Sequence, residues 1–203
     1  MITNRYKTIA QFCSNDETRQ HLMNAYASEF LGGLVATDGH KLLLAKGIGA
    51  GNWGKIVPGT MLKAGEATFI NLADGVKFPN LESIAGDLKN GVEPMIQFQL
   101  PAWLKNIAKA RLPVNARIYL NGVVQLRMQG QKQVSEIDVD FVSLDLRHLS
   151  AFAGEEIDLE IKTQMVQHAE STGDEKSVLE VQKMAPIKFA CNDFLGLIMP
   201  MKE

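Results

Sequence analysis

Short apolar runs separated by turn residues recur along the chain, which is the pattern of a protein built mainly from strands. The clearest example surrounds Asp38-Gly39, with apolar residues at 34–36 before it and at 42–45 after it. Aspartate and glycine tolerate the positive φ of a two-residue turn, and the flanking runs supply two strands. The sequence therefore predicts a β-hairpin over residues 34–45.

The rest of the first half is predicted to place one helix and several strands around this hairpin. Ile9, Phe12 and Cys13 recur at helical spacing and are followed by three turn residues, so a short helix should end there. Partial alternation of polar and apolar residues predicts a strand that leads into the hairpin. The predicted elements are a helix over 5–13 and strands over 19–29, 56–58 and 67–72.

The second half follows a polar, glycine-containing stretch at 86–91, which is the predicted domain boundary. The predicted domains are therefore 1–90 and 91–203. Pro101 suits the first turn of a helix with an apolar stripe of Trp103, Leu104, Ile107 and Ala108, and Asn121-Gly122 indicates a hairpin. The predicted elements are helices over 101–110 and 144–153, a hairpin of two strands over 116–128, and strands over 95–100, 133–142, 157–166, 177–183 and 187–190. Their order is β-α-β-β-β-α-β-β-β. An apolar run at 194–201 ends the chain.

Composition narrows the class of protein. The chain has 203 residues, 46% of them hydrophobic and 22% charged, which suits one large or two small soluble domains. It has no eighteen-residue apolar run and no N-terminal signal-type segment, so we expect a cytoplasmic protein. Cys13 and Cys191 are predicted to be free or buried thiols. A net charge of −2 argues against a protein that simply coats nucleic acid, but permits a local basic surface.

Catalytic and metal motifs are weak. Asp38 and His40 flank a tight turn. No third metal ligand and no nucleophile occurs at a sequence spacing typical of a metal or catalytic site. The glycine-rich stretch 46–54 lacks the Gly-Lys-Ser/Thr ending of a phosphate loop. The sequence therefore predicts a binding protein without a cofactor or metal, and an unrelated α+β enzyme is the least favoured alternative.

The hairpin sequence LVATDGHKL resembles the VATDGHRL segment in the middle domain of the bacterial DNA polymerase III β subunit, the sliding clamp. Four further stretches resemble the same family and occur in the same order, which is more specific than any one match. They are 19–24 (RQHLMN, similar to RYYLNG), 78–81 (FPNL, similar to FPDY), 141–144 (FVSL, similar to the strand and helix start of the third domain) and 197–202 (LIMPMK, similar to VVMPMR).

This resemblance implies an α+β DNA-clamp fold, in which βαβββ units place antiparallel sheets outside and helices on one face. The first domain resembles a shortened clamp middle domain, and the second resembles the clamp C-terminal domain. Residues 46–80 are fewer than in the family, so we expect part of the first domain, including a helix, to be missing. Glu203 replaces a terminal leucine, and Glu82-Ser83 replace basic residues. Two-domain chains would close a ring as a homodimer or homotrimer.

In the family these stretches form a pocket for the clamp-binding peptides of polymerases, the clamp loader and repair proteins. Methionine and leucine side chains suit such a pocket because they adapt to varied peptides. The resemblance implies one wall made of Leu22, Thr37, Gly39, His40, Lys41 and Leu42, and another made of Pro79, Val142, Ser143, Ile198, Met199, Pro200 and Met201.

Clamps also hold duplex DNA through basic residues on the helices, by phosphate contacts that lack sequence specificity and weaken with salt. The candidate DNA-facing residues are Arg5, Lys7, Lys105, Lys109, Arg111 and Arg147. Lysines four residues apart are also typical of a solvated helix face, so this interpretation stays open. The sequence thus predicts a clamp-like replication processivity factor; the alternative is a clamp-derived adaptor or competitor that binds peptides without encircling DNA.

Overall fold

The structure is a computed structural model that describes residues 2–47, 61–63, 69–70, 79–109, 114–128, 139–169 and 175–201. It divides into two compact units. The first contains Met1–Val92 and Lys188–Ile198, and the second contains Glu93–Ile187 and Met199–Glu203.

The described residues form three short α-helices, three 3₁₀ segments and fourteen strands. The α-helices are α1 (Ile2–Ala10), α2 (Leu81–Ala85) and α3 (Leu104–Lys109), and the 3₁₀ segments are Glu17–Leu22, Gly86–Asn90 and Leu146–Phe152. The strands are β1 (Asn24–Ser28), β2 (Gly33–Thr37), β3 (Lys41–Lys46), β4 (Met61–Lys63), β5 (Phe69–Ile70), β6 (Ile96–Gln99), β7 (Val114–Tyr119), β8 (Val124–Met128), β9 (Phe141–Asp145), β10 (Glu156–Glu160), β11 (Thr163–Ala169), β12 (Glu175–Val181), β13 (Ile187–Cys191) and β14 (Phe194–Ile198).

The sheet of the first unit has the strand order β5-β4-β1-β2-β3-β14-β13. The predicted hairpin is confirmed, with β2 and β3 paired antiparallel from Gly33 opposite Lys46 to Thr37 opposite Leu42. Strand β14 adds to β3, with Phe194 opposite Ala45 and Ile198 opposite Lys41. This pairing explains why Lys188–Ile198 belongs to the first unit, whereas the predicted limits kept residues 91–203 together.

Both faces of this sheet are covered, because every residue of β2 and β14 is buried. On one face, Val35 and Leu197 pack into a core with Leu81 and Leu88, which come from α2 and the 3₁₀ segment after it. On the other face, α1 lies against β2 and β3 and contributes Phe12 from the turn that follows it. Buried apolar runs, instead of strict alternation, are the pattern expected of strands covered on both sides.

The second unit contains the antiparallel sheet β8-β7-β9 and the antiparallel pairs β6–β10 and β11–β12. The Asn121-Gly122 hairpin joins β7 to β8 as predicted, with Gly122 at φ +84°. Helix α3 packs against the 3₁₀ segment Leu146–Phe152. One face of the three-stranded sheet is apolar and buried, since Ala116, Ile118 and Leu144 are at most 1% exposed.

Local predictions were wrong in several places where a cap redirects the chain. The predicted strand over 19–29 starts as a 3₁₀ segment because the Asp16 carboxylate accepts hydrogen bonds from the backbone N–H and hydroxyl of Thr18. The predicted helix over 144–153 is the 3₁₀ segment Leu146–Phe152, and Asp145 caps it in the same way. Short 3₁₀ turns leave little periodicity for a sequence pattern to reveal.

Burial corrects two further predictions. Trp103 is 39% exposed and does not join Leu104 in the buried stripe of α3. The polar boundary stretch 86–91 is ordered as a 3₁₀ segment that buries Leu88 completely. The predicted strand at 56–58, most of the glycine-rich stretch 46–54 and most of the predicted strand at 133–142 lie outside the described residues.

Candidate functional site

The turn of the β2–β3 hairpin is held by side chains of its own sequence. The Thr37 hydroxyl donates to the carbonyl of Lys41 at 2.7 Å and accepts from the N–H of Gly39 at 3.1 Å. The Asp38 carboxylate accepts from the N–H groups of His40 and Lys41 at 2.9 and 3.0 Å. Only Gly39 uses a left-handed φ here, at +94°, because Asp38 stabilises the turn through its side chain instead. The tip presents exposed His40 on a rigid support.

Arg19 is a neighbour of this turn that was not among the predicted site residues. Its Nη1 donates to the carbonyl of Asp38 at 3.3 Å, and a Cβ added to Gly39 would lie 3.1 Å from that nitrogen. Its Nε lies 3.6 Å from the Asp16 carboxylate. The only signal in the sequence was its place at the start of the 19–24 resemblance. Arg19 adds a positive charge beside His40.

The side chain of Lys41 packs against the first unit and does not extend into solvent. Its ammonium lies 3.8 Å from the Asp38 carboxylate and 4.8 Å from the centroid of the Phe12 ring, a cation–π distance. Its side chain is only 13% exposed. Burial raises the pKa of the nearby Cys13 thiol to about 12, although the charge of Lys41 acts in the opposite direction. Cys13 and Cys191 are buried free thiols, as predicted, and Cys13 stays protonated at neutral pH.

Burial divides the predicted pocket residues into two groups. One group is buried at 8% exposure or less and forms the interior of its own unit: Leu22, Thr37, Leu42, Val142, Ser143 and Ile198. The other group is exposed or half-buried: Gly39, His40, Lys41, Pro79, Met199, Pro200 and Met201. All of them except Lys41, whose ammonium lies near Asp38 and Phe12, can meet a ligand. The apolar contact surface of the second group comes mainly from Met199 at 39% and Met201 at 37% exposure.

Met201 is fixed to the three-stranded sheet of the second unit. Its backbone N–H donates to the carbonyl of Ser143 at 2.8 Å, in an antiparallel bridge beside β9. Opposed residues in such a bridge share a face of the sheet, so Ser143 and Met201 lie together. Val142 comes next to Ser143 on the strand and therefore faces the apolar side, where it is 2% exposed. The structure thus does not bring Val142 and Met201 to one face.

The candidate DNA-facing residues differ in their partners. Arg5 is ion-paired with Asp193, and Arg147 is ion-paired with Asp145. Lys7 and Lys105 are exposed to solvent. The side chain of Lys109 and all of Arg111 lie outside the described part of the chain. Two of the predicted charges are therefore partly neutralised within the protein.

Asp145 and Arg147 form an ion pair with three hydrogen bonds in the second unit. The guanidinium of Arg147 donates from Nε at 3.0 and 2.9 Å and from Nη2 at 2.5 Å to the Asp145 carboxylate. Burial alone raises the pKa of this carboxyl, but the hydrogen bonds and charge of Arg147 outweigh it, so the pKa of Asp145 lies below its usual value. The same bonds raise the pKa of Arg147.

We expect Asp145→Asn to lower the free energy of unfolding by about 2 kcal/mol at pH 7, because Arg147 loses a largely buried anionic partner. A folded-state pKa below the unfolded value of about 3.9 means that this stabilisation is fully present above that pH. It is lost as the pH falls through the lower folded-state pKa. Urea unfolding between pH 7 and pH 3 should therefore show the two proteins converging. Asp158→Asn on β10 is the matched control, and an equal loss there would contradict the assignment.

The described residues offer neither a metal centre nor a membrane-spanning helix. No group of three or more histidine, cysteine, aspartate or glutamate side chains among them is arranged to hold a metal ion. Within the same ranges, no helix is both long and apolar enough to cross a membrane.

Comparison with solved structures reveals whole-chain similarity to bacterial DNA sliding clamps. A Caulobacter crescentus clamp with bound polyethylene glycol matches 99% of this chain and 64% of its own, with 17% identity and a TM-score of 0.56. A Bartonella birtlesii clamp bound to griselimycin matches over 100% of this chain and 64% of its own length, with 15% identity and a TM-score of 0.55. The chain has the sliding-clamp fold. A Helicobacter pylori clamp bound to a DNA ligase peptide matches over 100% of this chain and 63% of its own length, with 11% identity and a TM-score of 0.51.

The predicted α+β DNA-clamp fold is therefore confirmed. No protein-family model matches the sequence, and no curated protein matches it significantly. The chain spans less than two thirds of the length of these clamps. The predicted domain limits and the roles of the predicted site residues stay predictions.

Proposed function

We propose that this protein is a sliding-clamp-like replication accessory protein that binds the clamp-binding peptides of polymerases and related enzymes and contacts or encircles duplex DNA. The observation that carries the proposal is the clamp fold across the whole chain, shared with a clamp that binds a DNA ligase peptide. Exposed Met199 and Met201 support it, because they lie in the stretch that resembles the family's pocket.

In this proposal the binding energy comes from apolar burial and not from chemistry. Met199 and Met201 together offer flexible side chains that a peptide can cover, with Pro200 between them to limit backbone freedom. In this proposal His40, the exposed polar side chain on the β2–β3 turn of the first unit, would help to orient the peptide.

The direct test is a fluorescence anisotropy titration with the DNA ligase peptide that the Helicobacter pylori clamp binds. We expect saturable binding that unlabelled peptide displaces. Griselimycin, which the Bartonella birtlesii clamp binds, should compete for the same site. Absence of binding by both ligands, at concentrations where the protein stays folded, would contradict the peptide-binding function.

DNA contact is proposed through the basic residues on α3. We expect Lys105→Glu with Lys109→Glu to lower the affinity for a duplex about tenfold at low salt, because reversed charges repel phosphates. Peptide affinity should not change. Lys46→Glu with Lys162→Glu alters the net charge equally outside α3, and serves as the control. Filter binding across a salt series measures the effect, and equal losses in the two double variants would show that the contact is not specific to α3.

The second candidate function is a peptide-binding adaptor or competitor that does not encircle DNA. The observation in its favour is that Arg5 and Arg147 are already ion-paired with Asp193 and Asp145. Light scattering over a concentration series separates the candidates. A stable dimer or trimer supports ring closure, whereas a monomer at every concentration supports the adaptor.

A further inference from the structure

The sulfur atoms that solvent can reach belong to methionines and not to cysteines. Cys13 and Cys191 are at most 5% exposed, and burial raises the pKa of the Cys13 thiol to about 12, so little of the reactive thiolate forms at neutral pH. In the described part of the chain, six methionines are more than one third exposed: Met95, Met128, Met165, Met184, Met199 and Met201. A thioether reacts without losing a proton, so an oxidant in solution meets these six side chains first.

Two of the six exposed methionines lie in the proposed peptide-binding stretch. Met199 is 39% exposed and Met201 is 37% exposed, and they are separated only by Pro200. We call these two residues the methionine pair. The other four exposed methionines lie outside the stretches that resemble the family's pocket. Oxidation of the methionine pair would therefore change the proposed contact surface itself.

The backbone holds the methionine pair at the surface of the second unit. Pro200 fixes its own φ and restricts the conformation of Met199 before it. The backbone N–H of Met201 donates to the carbonyl of Ser143 at 2.8 Å, and Ser143 is only 5% exposed. This bridge fixes the backbone of Met201 to an interior strand. Rotation of the two side chains is thus the main adjustment by which this surface can accommodate a modified sulfur.

A hydroperoxide converts such a thioether to a sulfoxide in one two-electron step. With hydrogen peroxide, the sulfur attacks one peroxide oxygen, an S–O bond forms and the O–O bond breaks. The leaving hydroxide takes up the proton of the transferred hydroxyl group and becomes water. Sulfur is oxidised and the peroxide is reduced. Methionine sulfoxide reductases reverse the change, in which two thiols become a disulfide and the oxygen leaves as water.

A sulfoxide changes the chemistry of the contact surface. Its oxygen is a strong hydrogen-bond acceptor that water satisfies while the methionine pair is exposed. An apolar peptide side chain that covers this oxygen removes the water and supplies no donor, which costs free energy. The same peptide side chain loses nothing when it covers an unmodified thioether. Oxidation should therefore weaken docking and leave the fold intact, since neither side chain belongs to the buried core.

We propose that the methionine pair is a reversible oxidation site, at which a hydroperoxide switches peptide docking off and a methionine sulfoxide reductase restores it. This inference rests on the proposed peptide-binding function and adds the regulation of that site.

The test compares peptide binding before and after oxidation of the whole protein. The protein is treated with hydrogen peroxide, catalase removes the excess, and the untreated Helicobacter pylori DNA ligase peptide is then titrated by fluorescence anisotropy. We expect the Kd to rise about tenfold, in proportion to the sulfoxide that mass spectrometry finds at residues 199 and 201. Sulfoxide reductases for both epimers, with a dithiol as reductant, should return the Kd to its starting value.

Leucine variants assign the effect to the methionine pair, because leucine is apolar but has no sulfur. Each variant is compared with itself, so its own starting affinity does not matter. The ratio of Kd after treatment to Kd before it should stay near one in Met199→Leu with Met201→Leu. Met165→Leu with Met184→Leu is the matched control, and it should show the full tenfold rise. If the first variant binds too weakly to titrate, a time course of oxidation in the control variant decides, since affinity must fall together with sulfoxide at 199 and 201.

The possible outcomes distinguish this inference from the proposed function. If the untreated protein does not bind the peptide, the proposed function fails. The inference alone is overturned if the untreated protein binds and any of three results follows. The first is that residues 199 and 201 stay reduced while Met165 and Met184 are oxidised. The second is that the oxidised pair binds as tightly as the reduced pair. The third is that affinity falls only together with the circular dichroism signal of the fold.

Discussion

Replacing Gly196 with alanine should lower the free energy of unfolding by about 3 kcal/mol or more. Gly196 lies in β14 opposite Leu43, and the Phe189 ring covers its Cα. A Cβ at this position would overlap Cε1 and Cζ of Phe189 and lie 2.6 Å from the carbonyl oxygen of Leu42. Phe189 is fully buried and packs near Phe12 at 6.3 Å, so its ring has no vacant volume to enter.

Urea unfolding followed by circular dichroism measures this effect. Gly86→Ala is the matched control, because nothing lies within 4 Å of the position that the alanine methyl group would take, and the φ of −54° suits any residue. The control should match the unaltered protein or exceed it slightly, since alanine reduces the entropy of the unfolded chain. Equal stability of the Gly196 and Gly86 variants would show that β14 does not pack against Phe189 in the first unit as described.

Met199→Ala with Met201→Ala should weaken binding of the DNA ligase peptide about thirtyfold, a loss of about 2 kcal/mol. Both side chains are more than one third exposed, so truncation removes contact area without leaving a cavity in the core. His40→Ala should weaken binding less, because its contribution is orientation at the tip of the turn. Cooperative unfolding should persist in all of these variants.

Met165→Ala with Met184→Ala is the control for the methionine experiment. These two methionines are 65% and 62% exposed, and neither belongs to the sequence stretches that resemble the family's pocket. Peptide affinity should stay unchanged in this variant. If it falls as much as in the Met199/Met201 variant, the loss reflects general apolar contact. If neither His40 nor the Met199/Met201 pair affects binding, the site assignment is wrong.

The β2–β3 hairpin shows what local sequence can determine. Gly39 and the Asp38 carboxylate specify the turn through atoms within three residues, so the pattern and the structure agree. The same holds for the Asn121-Gly122 hairpin. Short-range hydrogen bonds and backbone preferences are encoded locally, and pattern analysis recovers them.

Whether a residue is buried depends on contacts between segments that are distant in sequence. Leu42, Val142 and Ile198 matched the family's pocket by sequence, yet each is at most 2% exposed, within its own unit. Ile198 becomes buried because β14, from the end of the chain, pairs with β3. No local pattern specifies which of two similar apolar runs will be neighbours, since that depends on the whole core.

The sequence by itself determined the strand-rich α+β class, both hairpins and the resemblance that predicted the clamp fold, because these depend on residues close together in the chain. The tertiary structure alone decided the placement of β14 in the first unit and the shared face of Arg117, Ser143 and Met201. The strand placement and the shared face follow from strand register, and register is fixed by packing between segments that are distant in sequence.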